Sequence, residues 1–282
     1  MKLLAAAVLS AACLCAQTPD IGEIMRRVAL NQAKSQELRT SYQYRQKQVL
    51  RLVRANGKIA REEHREYSIR PKFRGIDRTL AAFDGKYQAG SQSIGYSQPG
   101  YKYRDMDIDG ELLNSMANDM LNDHRGRDGI AVNLFPLTYH QQLKYNFQFL
   151  DRQTFRGRDV YCVHFEPKKK PGLDDLDDNG AAWAGEALID AEEYQPVNVR
   201  TDLAWKAPLW LKTLLGTNIR GLGFNVTYQK FADGVWFPVS YGGEFEIRAV
   251  FFYRRTVTIA MTNSEFKRAE VTSSVTYEAD GK

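Results

Sequence analysis

The stretch Glu244-Phe245-Glu246-Ile247-Arg248-Ala249-Val250-Phe251-Phe252-Tyr253-Arg254-Arg255-Thr256-Val257-Thr258-Ile259-Ala260-Met261 decides the fold class. Phe245, Ile247, Ala249, Phe251, Tyr253, Val257, Ile259 and Met261 fall on one face of an extended chain. Glu244, Glu246, Arg248, Arg254, Thr256 and Thr258 fall on the other. Side chains alternate across a strand, so the pattern predicts a sheet with one apolar and one wet face. A sheet divided in this way must cover or curl its apolar side.

The same alternation recurs upstream. Tyr42, Tyr44, Gln46, Gln48, Leu50 and Leu52 share one face, with Gln43, Arg45, Lys47 and Arg51 opposite. Asn56-Gly57 suits a tight hairpin because both residues tolerate positive φ, and a return strand over 58–69 stops at Pro71. Further turns are expected at Asp84-Gly85, Pro99-Gly100, Arg156-Gly157-Arg158, Tyr194-Gln195-Pro196 and Asp233-Gly234. Two segments switch to helical spacing. Asp20, with Glu23 as its capping-box partner, starts a helix to about Leu38 carrying Ile21, Ile24, Met25 and Val28 on one stripe. Asp109 opens a second, carrying Leu112, Leu113, Met116, Met120 and Leu121. Hairpins, two amphipathic helices and no βαβ rhythm predict a mainly β (α+β) fold. The expected form is a curved antiparallel sheet making an incomplete β-barrel, with helices over its concave face.

The first residues read as an export signal. Met1-Lys2 is a positive start, Leu3 to Cys15 is apolar or small, and Gln17, Thr18, Pro19 and Asp20 follow. That run is about 13 residues, against the roughly 20 a spanning helix needs. Residues 1–16 are therefore expected to be removed after Ala16, leaving 17–282 as one half-barrel domain in the periplasm. Cys13, after Ser10-Ala11-Ala12, resembles a lipobox whose leucine is displaced to Leu9, and a lipid anchor there is the less favoured reading. Only Cys162 then remains, which excludes an internal disulfide. The net charge of +5 is spread along the chain apart from Lys168-Lys169-Lys170. A nucleic-acid binder would concentrate it on one face, so no nucleic acid is expected as a partner.

Two hairpin phrases carry a resemblance. Gly185-Glu186-Ala187-Leu188-Ile189-Asp190 precedes Tyr194-Gln195-Pro196-Val197, and Asp233-Gly234-Val235-Trp236-Phe237-Pro238-Val239 follows later. These phrases, in this order of elements, resemble the bacterial outer-membrane lipoprotein-sorting and lipoprotein-carrier family. The resemblance implies an incomplete barrel around an apolar cavity for acyl chains, acting without a cofactor and without chemistry. The chain is longer than the small carriers, with additions at Leu112 to Leu121 and Lys206 to Gly223. No ligand-contacting residue of the family is carried over.

Three local patterns compete for a site. In Trp205-Lys206-Ala207-Pro208-Leu209-Trp210-Leu211-Lys212-Thr213-Leu214-Leu215, two Trp and four Leu interrupt the strand pattern beside two Lys. Either a lid or membrane-touching element, or an ordinary helix plugging the sheet, fits it. Asp175, Asp177, Asn179 and Glu186, with Gly180 at the sixth position, match the spacing of a calcium loop. Pro171-Gly172 rules out the usual entering helix, so a solvated acidic connection is favoured. Cys162, His164 and Glu166 alternate along one strand. Neighbours two apart lie nearly 7 Å apart, too far for a nucleophile–base hydrogen bond, so a wet outer face is the preferred reading.

The sequence therefore predicts a non-enzymatic periplasmic carrier of lipid or lipoprotein acyl chains, without a cofactor. The chain would be held by Trp205, Leu209, Trp210, Leu211, Leu214, Leu215, Phe245, Ile247, Phe251 and Tyr253, with an envelope membrane or protein as a further partner. The alternatives are a non-catalytic scaffolding module whose core its own side chains fill, and an enzyme using Cys162 and His164.

Overall fold

The computed structural model describes residues 19–72, 75–120, 137–169, 183–204, 217–221, 223–231, 234–249 and 253–269. The elements in chain order are α1 (Ile21–Arg39), β1 (Tyr42–Arg54), β2 (Ile59–Pro71), β3 (Ile76–Ala89), β4 (Gln92–Tyr96) and α2 (Ile108–Met120). Then come α3 (Tyr139–Gln142), β5 (Tyr145–Phe155), β6 (Arg158–Pro167), β7 (Trp183–Asp190) and β8 (Pro196–Leu203). The last four are β9 (Thr217–Arg220), β10 (Gly223–Lys230), β11 (Trp236–Ala249) and β12 (Tyr253–Arg268).

All the strands join one antiparallel sheet in the order β4-β3-β2-β1-β12-β11-β10-β8-β7-β6-β5, with β9 paired to β11. β10 pairs with the Trp236 end of β11 and β9 with its Ala249 end, both on the side away from β12. Among the described residues β4 and β5 end the path and do not meet, so the sheet stays open. The expected hairpins form where local chemistry permits positive φ. Gly57 has φ 79°, and Arg156 and Gly157 have φ 50° and 78° across the β5–β6 turn. Asp84-Gly85 is not a turn: both residues lie inside β3, and the chain reverses later at Gly90 (φ 61°).

The buried core lies between the helices and the inner face of the sheet. Ile24, Met25 and Val28 of α1 and Leu112, Leu113 and Ala117 of α2 pack into one cluster with Leu50, Leu52, Val163, Phe165, Ile189, Val199, Val226 and Ile259. A second cluster unites Tyr42, Tyr44, Tyr67, Ile69, Val235 and Phe237. Asp20 caps α1, its Oδ1 accepting from the Gly22 amide at 2.9 Å. Glu23 is not the capping-box partner; it is drawn instead to Arg26 (2.7 Å) and Arg27 (2.6 Å) one turn on. Polar bonds fix α1 laterally. Gln32 donates to Gln195 at 2.7 Å, Gln195 donates to Ser35 at 2.8 Å, and Arg39 donates to the Trp236 carbonyl at 2.9 Å.

Gly185 of β7 lies against β8, and a Cβ there would be driven into the Arg200 carbonyl oxygen. Backbone cannot give way as a flexible side chain can. Gly185→Ala is expected to cost about 1–3 kcal/mol, read as a thermal midpoint lowered by several degrees. An unchanged midpoint would show that the two strands have slack at this crossing.

Candidate functional site

The site grows from β2. Its inner face carries Arg61, Glu63 and Arg65, all buried, although such residues are almost never fully buried without partners. Arg61 is 0% exposed. Its Nη1 donates to Asp107 Oδ2 at 2.5 Å, its Nε to the Tyr96 hydroxyl at 2.8 Å, and its Nη2 to the Tyr101 carbonyl. The Tyr96 hydroxyl donates to Glu63 Oε1 at 2.6 Å, and Arg65 Nε donates to Glu63 Oε2 at 2.8 Å. Burial, and then the Glu63 charge, hold the Tyr96 hydroxyl well above the ordinary phenol range. Gly85 of β3, opposite both Glu63 and Tyr96, leaves the room the Tyr96 ring occupies. The connection after β4 lies on this wall through two stacked pairs, Tyr96 on Tyr101 (5.0 Å) and Tyr87 on Tyr103 (4.7 Å).

The start of α2 completes the site. Asp107, rather than Asp109, is the capping residue, since its Oδ1 accepts from the Gly110 amide at 2.9 Å. That frees Asp109 to face β12. Its Oδ1 accepts from Arg255 Nε at 2.9 Å and from the Tyr253 hydroxyl at 2.6 Å, and its Oδ2 accepts from Arg255 Nη2 at 3.1 Å. Burial, and then the Asp109 charge, raise the Tyr253 hydroxyl in the same way as Tyr96. Between these groups lies a cavity of about 200 Å³. Arg54, Arg61, Arg104 and Arg255 line it, with Asp109, the tyrosines 87, 103 and 253, and Ala60, Gln88 and Ile108. Such a lining can hold an anion by forked, charge-assisted hydrogen bonds.

Of the residues expected to hold a ligand, Tyr253 borders this cavity. Phe245 and Ile247 lie in the core, 3% and 1% exposed, with Phe245 edge-on to Phe224 at 6.4 Å. Trp205, Leu209, Trp210, Leu211, Leu214, Leu215 and Phe251 fall outside the described residues, as do Asp175, Asp177, Asn179, Cys13 and residues 1–16. Glu186 is exposed on β7, paired in register with His164 and Arg200. Among the described residues no three His, Cys, Asp or Glu side chains gather as a metal site. No described helix is long and apolar enough to cross a membrane. Cys162 is not on a wet face: it is 6% exposed, and burial, with Glu186 and Asp151 adding to it, pushes its thiol up to about 11. A thiol so protonated is a poor nucleophile.

The sequence reading passed over Arg54, Arg61, Tyr87, Tyr103, Arg104 and Arg255, and gave Asp109 only the role of opening α2. A signal for two of these was present. Arg54 continues the inward series Leu50, Leu52, and Arg255 sits between Tyr253 and Val257 on the inward side of β12. A charge at an inward position is the mark of a polar recess.

No family model matches the chain, and no curated protein matches it. Solved structures do. An outer membrane lipoprotein-sorting protein domain from Vibrio parahaemolyticus is similar at 12% identity and TM-score 0.37, over 87% of this chain and 94% of that one. A LolA superfamily protein from Nitrosomonas europaea is similar at 10% identity and TM-score 0.36, over 90% and 96%. A DUF1329 family protein from Desulfovibrio piger is similar at 13% identity and TM-score 0.34, over 91% and 96%.

Two outcomes follow from the geometry. Arg61→Met would leave Asp107 with an uncompensated buried charge, at a cost of about 3–5 kcal/mol, measurable by urea denaturation. Cys162 in the folded protein should ignore a thiol reagent at pH 8 and react once the chain is unfolded, where its pKa returns to about 8.5. Rapid native labelling would contradict the burial.

Proposed function

We propose that this chain is an exported, non-catalytic binding protein that carries the acyl chain of a lipid or lipoprotein in the cell envelope. One observation carries the reading. The sheet does not close among the described residues, and its apolar inner face is covered by α1 and α2, separate elements rather than further strands. The likeness of its leader to a signal peptide adds the periplasm. The residues proposed for the acyl chain remain Phe245, Ile247 and Tyr253, together with Trp205, Leu209, Trp210, Leu211, Leu214, Leu215 and Phe251, which lie outside the described residues. At about 0.8 kcal/mol per buried methylene, some ten methylenes supply about 8 kcal/mol, enough for micromolar affinity.

A second reading, the scaffolding module with a self-filled core, is favoured by the packing of Phe245 and Ile247. Native mass spectrometry of protein purified from cells, with titration of a fluorescent fatty acid, separates the two. The carrier retains a lipid-sized mass or binds the probe saturably at micromolar concentration. A bare protein that ignores the probe is the scaffold.

A further inference from the structure

The cavity beside the start of α2 has more positive charge than its surroundings neutralise. Arg61 is matched by Asp107, and Arg255 by Asp109. Arg54 and Arg104 have neutral partners only. Arg54 Nη2 donates to the Gln88 carbonyl at 3.0 Å. Arg104 Nε donates to the Met106 carbonyl at 3.1 Å and its guanidinium lies 4.9 Å from the Tyr103 ring. Neither meets a carboxylate among the described residues.

The register sharpens the point. Arg54 of β1 and Arg255 of β12 are directly opposite each other, an arrangement of like charges that destabilises a sheet. The carboxylate that lines the cavity among the described residues, Asp109, is already shared between Arg255 and Tyr253. An incoming anion would relieve this repulsion and complete the forks of two arginines at once.

Size sets the class of ligand. Pockets that enclose a whole small molecule usually run to about 300–1,000 Å³, whereas this one offers about 200 Å³. It admits a headgroup and leaves the rest outside. Ile108, which lines the cavity, is 46% exposed, and Met106, two residues before it, is 74% exposed, apolar surface against which the first methylenes of a chain can lie.

We propose that Arg54, Arg104 and Arg255 form a binding site for an anionic headgroup, phosphate or carboxylate, of the amphiphile carried by this protein. The assignment rests on the carrier reading and adds headgroup selection to it. Guanidinium charge does not titrate below about pH 12, so binding should hold across the neutral range.

The test compares dodecyl phosphate with dodecyl maltoside, both below their micelle concentrations, and inorganic phosphate alone, by calorimetry. Wild-type protein should prefer dodecyl phosphate to the uncharged amphiphile by about tenfold or more. The pair Arg54→Gln with Arg104→Gln strands no carboxylate, and it should bring the two amphiphiles level. The pair Arg54→Lys with Arg104→Lys should keep part of the preference, which separates charge from folding. Equal binding of both amphiphiles by the wild type overturns the headgroup site and leaves the carrier reading standing. Inorganic phosphate binding as tightly as dodecyl phosphate, and lost in the Gln pair, keeps the anion site and overturns the carrier. If nothing binds, both fail.

Discussion

A sheet that stops short of closing cannot shield its own inner surface. In this protein the task falls to α1 and α2, and most of the remaining architecture follows from how they are held. Apolar packing presses both helices onto the strands, but it does not set where along the sheet they sit. Direction comes from polar anchors: Gln195 bonded to Gln32 and Ser35, and Arg39 bonded to the Trp236 carbonyl for α1. For α2 two carboxylates one residue apart on either side of Ile108 reach different strands, Asp107 to Arg61 of β2 and Asp109 to Arg255 of β12. The first turn of α2 thus spans β1 from both sides.

The inner face is chemically two surfaces. Over β6 to β8 and β10 to β12 it is mostly aliphatic and aromatic. Towards β1 to β3 it turns polar, with Gln46, Gln48, Arg61, Glu63, Arg65 and Asn263 all buried. Buried charge is tolerable only when paired and fully hydrogen-bonded, and apolar replacements of such networks are often more stable. Stability alone therefore gives no reason for a charged lining. Arg61, which lines the recess together with Arg54 and Arg255, joins this network to the proposed anion site.

Fold class was legible because alternation of apolar and polar residues survives in β1, β11 and β12, and because Asn56-Gly57, Arg156-Gly157 and Gly234 mark their turns by backbone chemistry. Asp84-Gly85 carries the same dipeptide signal yet stays in a strand, since Gly85 is needed there to admit the Tyr96 ring. The helix start at Asp107 was misread by two residues because three aspartates alternate at 105, 107 and 109, and composition does not say which one turns inward. The recess was harder. Along Arg61-Glu62-Glu63-His64-Arg65-Glu66 both faces are charged, so no contrast reveals the inner one. Only the pairing of β2 between β1 and β3 shows that Arg61, Glu63 and Arg65 face the core.

The partnership of β1 with β12 has a temporal consequence. Tyr42 lies opposite Arg268, so the first strand of the sheet waits for the last before its second edge is satisfied. Synthesis delivers β1 and β2 early as a local hairpin, while their neighbour arrives only after nearly all other strands. Pairings so distant along the chain make for slow folding, and an early strand with an unpaired edge invites mispairing. The β1–β12 pairing is therefore the step that closes last, after the sequence-local hairpins on either side of it.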